Sequence, residues 1–342
     1  MIAKKSKYAV AVIGATGAVG KESLDILEER KFPLSNLRLF ASKRSAGESL
    51  RCQGRHWTVE ELTPASDFTG VDFAFISATD AISREWAPRL GAAGVVAIDD
   101  SAVYRMDPAV PLVVPEVNAR ALRAMSRGMV AIPNCTTTPL VMALKPLHDA
   151  ATIKRVVVTT FQSVSGTGAA AMEELAQQTQ ALLSFQEVKA EVYPYQIAFN
   201  LLPQIGSFGD GGECSEEVKI VRETQKILDE PAMRITATTV RVPVMRCHSE
   251  AVNVELSRPL KPNDARALLG QMPGVMVFDD PARKLYPMPL DASGKDEVYV
   301  GRIREDLSVS HGLNLWVVSD NLRKGAALNA VQIAETLINQ AS

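Results

Sequence analysis

The chain has 342 residues, 46% of them hydrophobic and 22% charged, with 37 Lys plus Arg against 39 Asp plus Glu. That length suits two domains with separate cores, and the net charge of −2 excludes bulk attraction to nucleic acid or an anionic membrane. No stretch reaches the roughly 20 apolar residues of a membrane span, and Cys52, Cys135, Cys214 and Cys247 show neither C-x-x-C nor zinc-like spacing, so a reduced, soluble, cytoplasmic protein without a metal is expected.

A basic N-terminus leads into Tyr8–Ile13, an apolar run too short for a signal-peptide core and better used as a strand. Residues 21–30 read as an amphipathic helix with Leu24 and Leu27 on one face. Strands are expected at 37–41, 71–76 and 95–98, with a helix at 83–92. Apolar strands alternating with helices of this length form βαβ units around a parallel sheet. The pattern changes after Cys135. A helical segment over 140–144 precedes a β-branched strand at 155–161 and a helix at about 169–183. Further strands are expected at 235–244, 251–256, 274–278, 297–303 and 312–318, and a final amphipathic helix at 321–338. The fold class is therefore α/β: a Rossmann-like parallel-sheet domain over 1–134 plus 320–342, and a second α+β domain over 135–319.

Gly14-Ala15-Thr16-Gly17-Ala18-Val19-Gly20 follows a strand and opens a helix. Glycines there let backbone N–H groups approach a pyrophosphate at the helix N-terminus. The spacing is G-x-x-G-x-x-G, so a glycine turn of some other α/β protein is the competing reading. At the end of the second strand an NAD site usually carries Asp or Glu for the ribose 2′-hydroxyl. This chain has Ser42-Lys43-Arg44-Ser45 instead, a set suited to a 2′-phosphate and hence to NADP, or else a solvated basic turn.

Ile132-Pro133-Asn134-Cys135-Thr136-Thr137-Thr138-Pro139 sets a thiol where a helix begins, and the helix dipole there favours the nucleophilic thiolate. In isolation Cys135 fits a small buried core thiol equally well. His248, past a strand end, is placed for acid/base work near neutral pH, although a lone histidine is more often structural. Glu216 and Lys219 share a helix face, as an ordinary surface ion pair also would.

Taken together, the glycine loop, Val113-Val114-Pro115-Glu116-Val117-Asn118, Asn134-Cys135-Thr136-Thr137 and Gln162-Ser163-Val164-Ser165-Gly166 resemble the aspartate-semialdehyde dehydrogenase family. Phe199-Asn200-Leu201-Leu202-Pro203, Arg241-Val242-Pro243-Val244, His248-Ser249-Glu250 and Ser319-Asp320-Asn321-Leu322-Arg323-Lys324-Gly325-Ala326-Ala327 extend the resemblance almost end to end. It implies NADPH-dependent reduction of an aspartyl acyl phosphate to aspartate semialdehyde and phosphate, a step towards lysine, threonine, methionine and isoleucine. It also implies a homodimer formed by the second domain.

By the same resemblance, Cys135 is the nucleophile, His248 the acid/base and Gln162 orients the acyl group. Arg241 clamps the α-carboxylate, Glu216 the ammonium, and Arg105 with Lys219 the phosphate, with Asn134 beside the substrate. Gly14, Thr16, Gly17, Ala18, Val19, Gly20, Ser42, Arg44 and Ser45 hold NADP, and Ser165, Gly166 and Asn321 line its nicotinamide. Two departures stand out: Cys247 where many relatives have Gly before the histidine, and Asp100 where many have Asn. An N-acetyl-glutamyl-phosphate reductase is the nearest enzyme alternative, and a catalytically silent NADP-binding regulator is the non-enzyme one.

Overall fold

The structure, a computed structural model, describes residues 2–341. It divides into two compact units: the described residues up to Asn134 together with those from Ala326 onward, and Cys135–Gly325.

The first unit opens with β1 (Tyr8–Ile13), α1 (Ala18–Glu29) and β2 (Leu34–Ala41). A hairpin follows, β3 (Ser49–Cys52) and β4 (Arg55–Glu61), and then β5 (Phe73–Ile76), α2 (Asp80–Ala92), β6 (Val96–Asp99), the short α3 (Pro115–Asn118) and β7 (Met129–Ala131). The seven strands run in the order β3-β4-β2-β1-β5-β6-β7, parallel except for the β3–β4 hairpin, as the alternation of apolar strands and helices implies. The hairpin escapes the sequence pattern because its strands are polar and half-exposed and its turn is Gln53-Gly54. Both turn residues have positive φ (+50° and +70°), the requirement of a tight two-residue hairpin, without the usual Asn-Gly signal. Tyr8 and Phe32 pack their rings on Phe73 at 5.7 and 6.3 Å, pinning the strand ends remote from the glycine loop.

The chain leaves β1 for β2 on one side and later returns to β5 on the other, so β1 marks the point where strand order reverses. In open α/β sheets that point makes a crevice at the carboxyl ends of the strands. Gly14 lies there with φ +89°, and a Cβ on it would stand 2.1 Å from the Ser77 carbonyl oxygen just past β5. A Cβ on Gly20 would meet the Gly14 carbonyl oxygen at 2.2 Å. One glycine permits the turn and the other lets α1 lie against it.

The second unit begins with α4 (Thr137–Ala151), β8 (Ile153–Gln162), α5 (Ala169–Leu183), α6 (Ser215–Leu228) and β9 (Arg234–Arg241). It continues through β10 (His248–Leu256), α7 (Pro262–Gln271), β11 (Val275–Val277), α8 (Pro289–Ala292), β12 (Val298–Asp306) and β13 (Gly312–Ser319). The mixed six-stranded sheet has the order β11-β12-β13-β10-β8-β9. Along β8, Val156, Val158, Thr160 and Gln162 are buried, whereas Val157, Thr159 and Phe161 between them are only half-buried. One face thus packs under the helices and the other is open, which is the α+β arrangement expected.

Three expectations need correction. The strand read at 235–244 ends at Arg241, because Pro243 has no N–H to continue the ladder. His248 opens β10 and does not merely follow a strand. The last helix does not start at 321: after β13 the chain makes a π-helical turn at Arg323–Ala327, and α9 runs Leu328–Gln340. Asp320 is responsible, since its carboxylate accepts from Leu322 N–H (3.0 Å) and its carbonyl from Gly325 N–H (3.2 Å). The return to the first unit therefore falls at Ala326 rather than at 320. There α9 packs on α1, with Arg30 and Glu335 paired at 2.6 Å.

Glu250, in β10 opposite Thr160 and Val317, is fully buried, and neither carboxyl oxygen has a hydrogen-bond partner among the described residues. Desolvation holds its carboxyl well above the usual carboxylate range, so the native chain keeps a proton that the unfolded chain loses. This group contributes stability at low pH that is lost as pH rises from the ordinary carboxylate range towards the raised native value. Glu250→Gln should therefore gain on the wild type as pH rises, by up to about 1.4 kcal/mol per pH unit in that window. Thermal melts of both proteins at pH 5 and pH 8 test this; a difference independent of pH would show that Glu250 is not held neutral.

Candidate functional site

Strand register assembles the polar residues of the second unit. β8 and β9 are parallel with Gln162 opposite Arg241, while β10 is antiparallel to β8 and β13 with His248 opposite Ser319. The last residues of β8, β9 and β13 and the first of β10 consequently share one end of the sheet. All four are buried: Gln162 and His248 are 1% exposed, Arg241 5% and Ser319 1%.

Glu216 reaches the same place from α6. The Glu217 carboxylate accepts from the Cys214 N–H at 2.8 Å and from the Thr239 N–H of β9 at 3.0 Å, tying the first turn of α6 to the neighbouring strand. This holds Glu216 inward, 6% exposed, where its Oε1 accepts from Gln162 Nε2 at 3.1 Å. Gln162 Oε1 in turn accepts from the Thr160 hydroxyl at 3.0 Å. Lys219 Nζ lies 3.2 Å from Glu216 Oε2 with its own side chain one-third exposed, so the pair is half sunk into the site and is not a surface bridge.

Arg241 Nη1 donates to the Ser163 carbonyl at 2.7 Å, and its Nε has no partner among the described residues. A cavity of about 380 Å³, lined by Thr167, Tyr193, Leu202, Ile205 and Phe208, opens on this guanidinium. Leu202 exchanges two backbone hydrogen bonds with Arg241 (2.8 and 3.0 Å), which explains why the Phe199–Pro203 stretch stands here. His248 Nδ1 accepts from the Ser163 N–H at 3.0 Å, and Nε2 has no partner among the described residues. Burial, then the charge of Arg241, pushes this imidazole down to about 3 against the opposing pull of Glu216. The imidazole is neutral at physiological pH.

Cys135 is half-buried and leads into α4, with Thr136 at its N-cap and Thr136, Thr137 and Thr138 fully buried behind it. Gly325 closes on it: a Cβ there would come within 3.0 Å of Cys135 Cβ. Gly166 is packed as closely against the other groups, since a Cβ would stand 3.1 Å from His248 Nε2 and 3.0 Å from Arg241 Nη1. Asn321 Oδ1 accepts from Ser163 Oγ, Ser165 Oγ and Cys247 N–H at 3.2, 3.1 and 3.0 Å. Cys247 itself has φ +75° and is buried, and burial pushes its thiol up, so it is a packed residue of the turn and no second nucleophile.

The second unit thus brings together Gln162, Ser165, Gly166, Glu216, Lys219, Arg241, His248 and Asn321 and also carries Cys135. Arg105, Asn134 and the glycine loop belong to the first unit. There the buried Arg105 donates to the Asp100 carbonyl at 2.7 Å, with the Asp100 carboxylate 3.8 Å away. Thr16 bonds the buried Ser45 hydroxyl at 3.3 Å, linking the glycine loop to the turn after β2, while Ser42, Lys43 and Arg44 are exposed. Ser163 was missed in the sequence although it touches both Arg241 and His248. Nothing in its own residue type or position signals this, because two of its contacts are made by its backbone.

Residues 9–125 match the family model described as semialdehyde dehydrogenase, NAD binding domain, and 144–324 that described as semialdehyde dehydrogenase, dimerisation domain. The chain is 50% identical over 335 residues to aspartate-semialdehyde dehydrogenase of Aquifex aeolicus, covering 97% of this chain and 98% of that one. It is 48% identical over 336 residues to that of Bacillus subtilis, covering 96% of each. Among solved structures, aspartate semialdehyde dehydrogenase II of Vibrio cholerae complexed with ASA superposes with a TM-score of 0.95 at 45% identity, covering 98% of this chain and 99% of that one. The Candida albicans enzyme with NADP gives 0.75 at 27% identity, covering 97% and 98%. With both domains matched in order and half of all residues shared over nearly the full length, this chain belongs to the aspartate-semialdehyde dehydrogenase family.

Proposed function

We propose that this protein reduces L-aspartyl 4-phosphate to L-aspartate 4-semialdehyde and phosphate with NADPH, as a cytoplasmic homodimer. The observation that carries the reading is the pair of opposite charges, Arg241 and Glu216, both buried at one sheet end beside Gln162 and His248. A buried cation and a buried anion cost too much to keep without a purpose, and a substrate bearing an α-carboxylate and an ammonium answers both. An N-acetylated acyl phosphate carries no free ammonium, so Glu216 would keep only its Lys219 partner, which disfavours the alternative reductase.

In this reading the Cys135 thiolate attacks the acyl carbon, the C–O bond to phosphate breaks, and phosphate leaves with that electron pair. Arg105 and Lys219 receive the phosphate; the Asp100 carboxylate beside Arg105 competes for the same guanidinium. The cofactor, when bound, supplies a hydride to the thioester carbon. The resulting tetrahedral oxyanion lies by His248, and its collapse breaks the C–S bond, regenerating the thiolate and freeing the aldehyde.

The close glycine packing at Gly14 and Gly20, and a basic turn without a carboxylate after β2, fit NADP. Backbone groups of Gly14, Thr16, Gly17, Ala18, Val19 and Gly20 would hold the pyrophosphate, and Ser42 and Arg44 the 2′-phosphate. Ser45 would brace that turn through Thr16, and Ser165 and Gly166 would flank the nicotinamide. For the dimer, the supporting feature is the half-buried outer face of the second unit's sheet, where the Phe161 and Trp316 rings meet at 5.5 Å, tilted by 47°.

Phosphate-dependent NADPH formation from aspartate semialdehyde is the direct test. Cys135→Ala should lose at least about 10³-fold in kcat while NADP affinity is kept; retained turnover would remove Cys135 as nucleophile. Arg241→Leu should raise KM for the semialdehyde by roughly 10- to 100-fold, and an unchanged KM would refute the clamp. Arg44→Ala should weaken NADP by several-fold more than NAD, an assignment that equal losses would overturn.

A further inference from the structure

Ser163 is fully buried between Gln162 and the turn at Val164–Thr167, and every polar atom it has is used inside the site. Its N–H donates to His248 Nδ1 at 3.0 Å, and its carbonyl accepts from Arg241 Nη1 at 2.7 Å. Its hydroxyl lies 3.1 Å from the same Nδ1 and donates to Asn321 Oδ1 at 3.2 Å. Asn321 Oδ1 also accepts from the N–H of Cys247, the residue before His248, at 3.0 Å. The contacts close a ring: Ser163, His248, Cys247, Asn321 and back to Ser163. The ring holds Cys247 at φ +75°, a left-handed backbone that a side-chain-bearing residue adopts only when its surroundings impose it.

One donor in the ring decides the chemistry. A backbone N–H can only donate, so Nδ1 can only accept, and a neutral imidazole must then carry its proton on Nε2. Nε2 is the atom left without a partner among the described residues, beside Gly166 and the Arg241 guanidinium.

We infer that Ser163 and Asn321 are positioning residues that fix His248 as the Nε2–H tautomer, so that the resting imidazole meets the acyl group as a hydrogen-bond donor. This deepens the reaction proposed above and rests on it only for the identity of the acceptor. When the thiolate attacks, the carbonyl π pair moves to oxygen and the Nε2–H hydrogen bond stabilises that oxyanion. The proton stays on Nε2, because its transfer would leave an imidazolate, and the pair returns to re-form the carbonyl as the leaving group departs. A neutral imidazole acting as electrophile needs the low basicity that burial and Arg241 impose here. In this account the carboxamide oxygen of Asn321 serves the clasp and not the nicotinamide.

The tautomer can be read without any substrate. Long-range ¹H–¹⁵N correlation spectra of the full chain labelled with ¹⁵N-histidine, at neutral pH, will contain His56, His148, His248 and His311, and His248→Gln assigns the relevant set. The expected signature is an unprotonated Nδ1 and a protonated Nε2 on His248. A protonated Nδ1, or an imidazolium, overturns the inference whether or not the protein turns over aspartate semialdehyde. In kinetics, Asn321→Ala should lower kcat by roughly 10- to 100-fold with KM for NADP little changed, and its His248 spectrum should show mixed tautomers. A raised KM for NADP with kcat and tautomer intact would make Asn321 a cofactor residue and refute the clasp.

Discussion

The antiparallel seat of β10 between β8 and β13 is the constraint on which the rest of the second unit depends. It puts the first residue of one strand beside the last residues of two others, so that Gln162, Arg241, His248 and Ser319 line one end of a single sheet. A slip of one residue in that ladder would turn His248 and Glu250 to the open face and bring Ser249 and Ala251 inward. The apolar even-numbered residues of β10, Val252, Val254 and Leu256, resist the slip because they are buried on the same face as His248. The core of the unit and the aim of its imidazole are thus secured by one pattern.

The same geometry buries the site's side chains, and burial sets their electrostatics. Arg241, Glu216 and His248 are all nearly inaccessible, so each charge acts on its neighbours with little screening. The imidazole is held neutral by burial and by the adjacent guanidinium, while Glu216 is shared between Gln162 and the one-third-exposed Lys219. Such a site carries its polar groups already oriented, and orientation in place of solvent reorganisation is how buried dipoles stabilise developing charge. The cost is visible two residues along β10, where Glu250 is buried with neither oxygen satisfied among the described residues.

Close backbone approach is the second device, used at both nucleotide-type and thiol-type positions. Gly14 and Gly20 leave no space for a Cβ where α1 meets β1 and β5, and Gly325 leaves almost none against Cys135. Asp320 ties this together by gathering Leu322 and Gly325 N–H groups while pairing with Arg246 at 2.6 Å. The π-helical turn that results lays Gly325 on the cysteine before the chain continues into α9.

What the sequence by itself determined was what local chemistry can specify. Apolar runs separated by helical periods implied the parallel sheet, glycines after a strand implied the tight turn, and a cysteine before Pro139 implied a thiol at a helix start. Ordered motifs then carried the family and most of the candidate site, from Cys135 and Gln162 to Arg241 and His248. Tertiary structure alone decided what depends on partners distant in the chain. The β3–β4 hairpin is polar and turns at Gln53-Gly54, so no periodicity marked it. The final helix was misplaced because the Asp320 contacts that delay it are set by three-dimensional folding. Glu216 and Lys219, read in isolation, were an ordinary surface pair and only the resemblance implied substrate roles; the capping of α6 against Thr239 is what turns the glutamate inward. The role of Ser163 was illegible for the plainest reason: the N–H and C=O that hold His248 and Arg241 are common to almost every residue, and only the fold aims them.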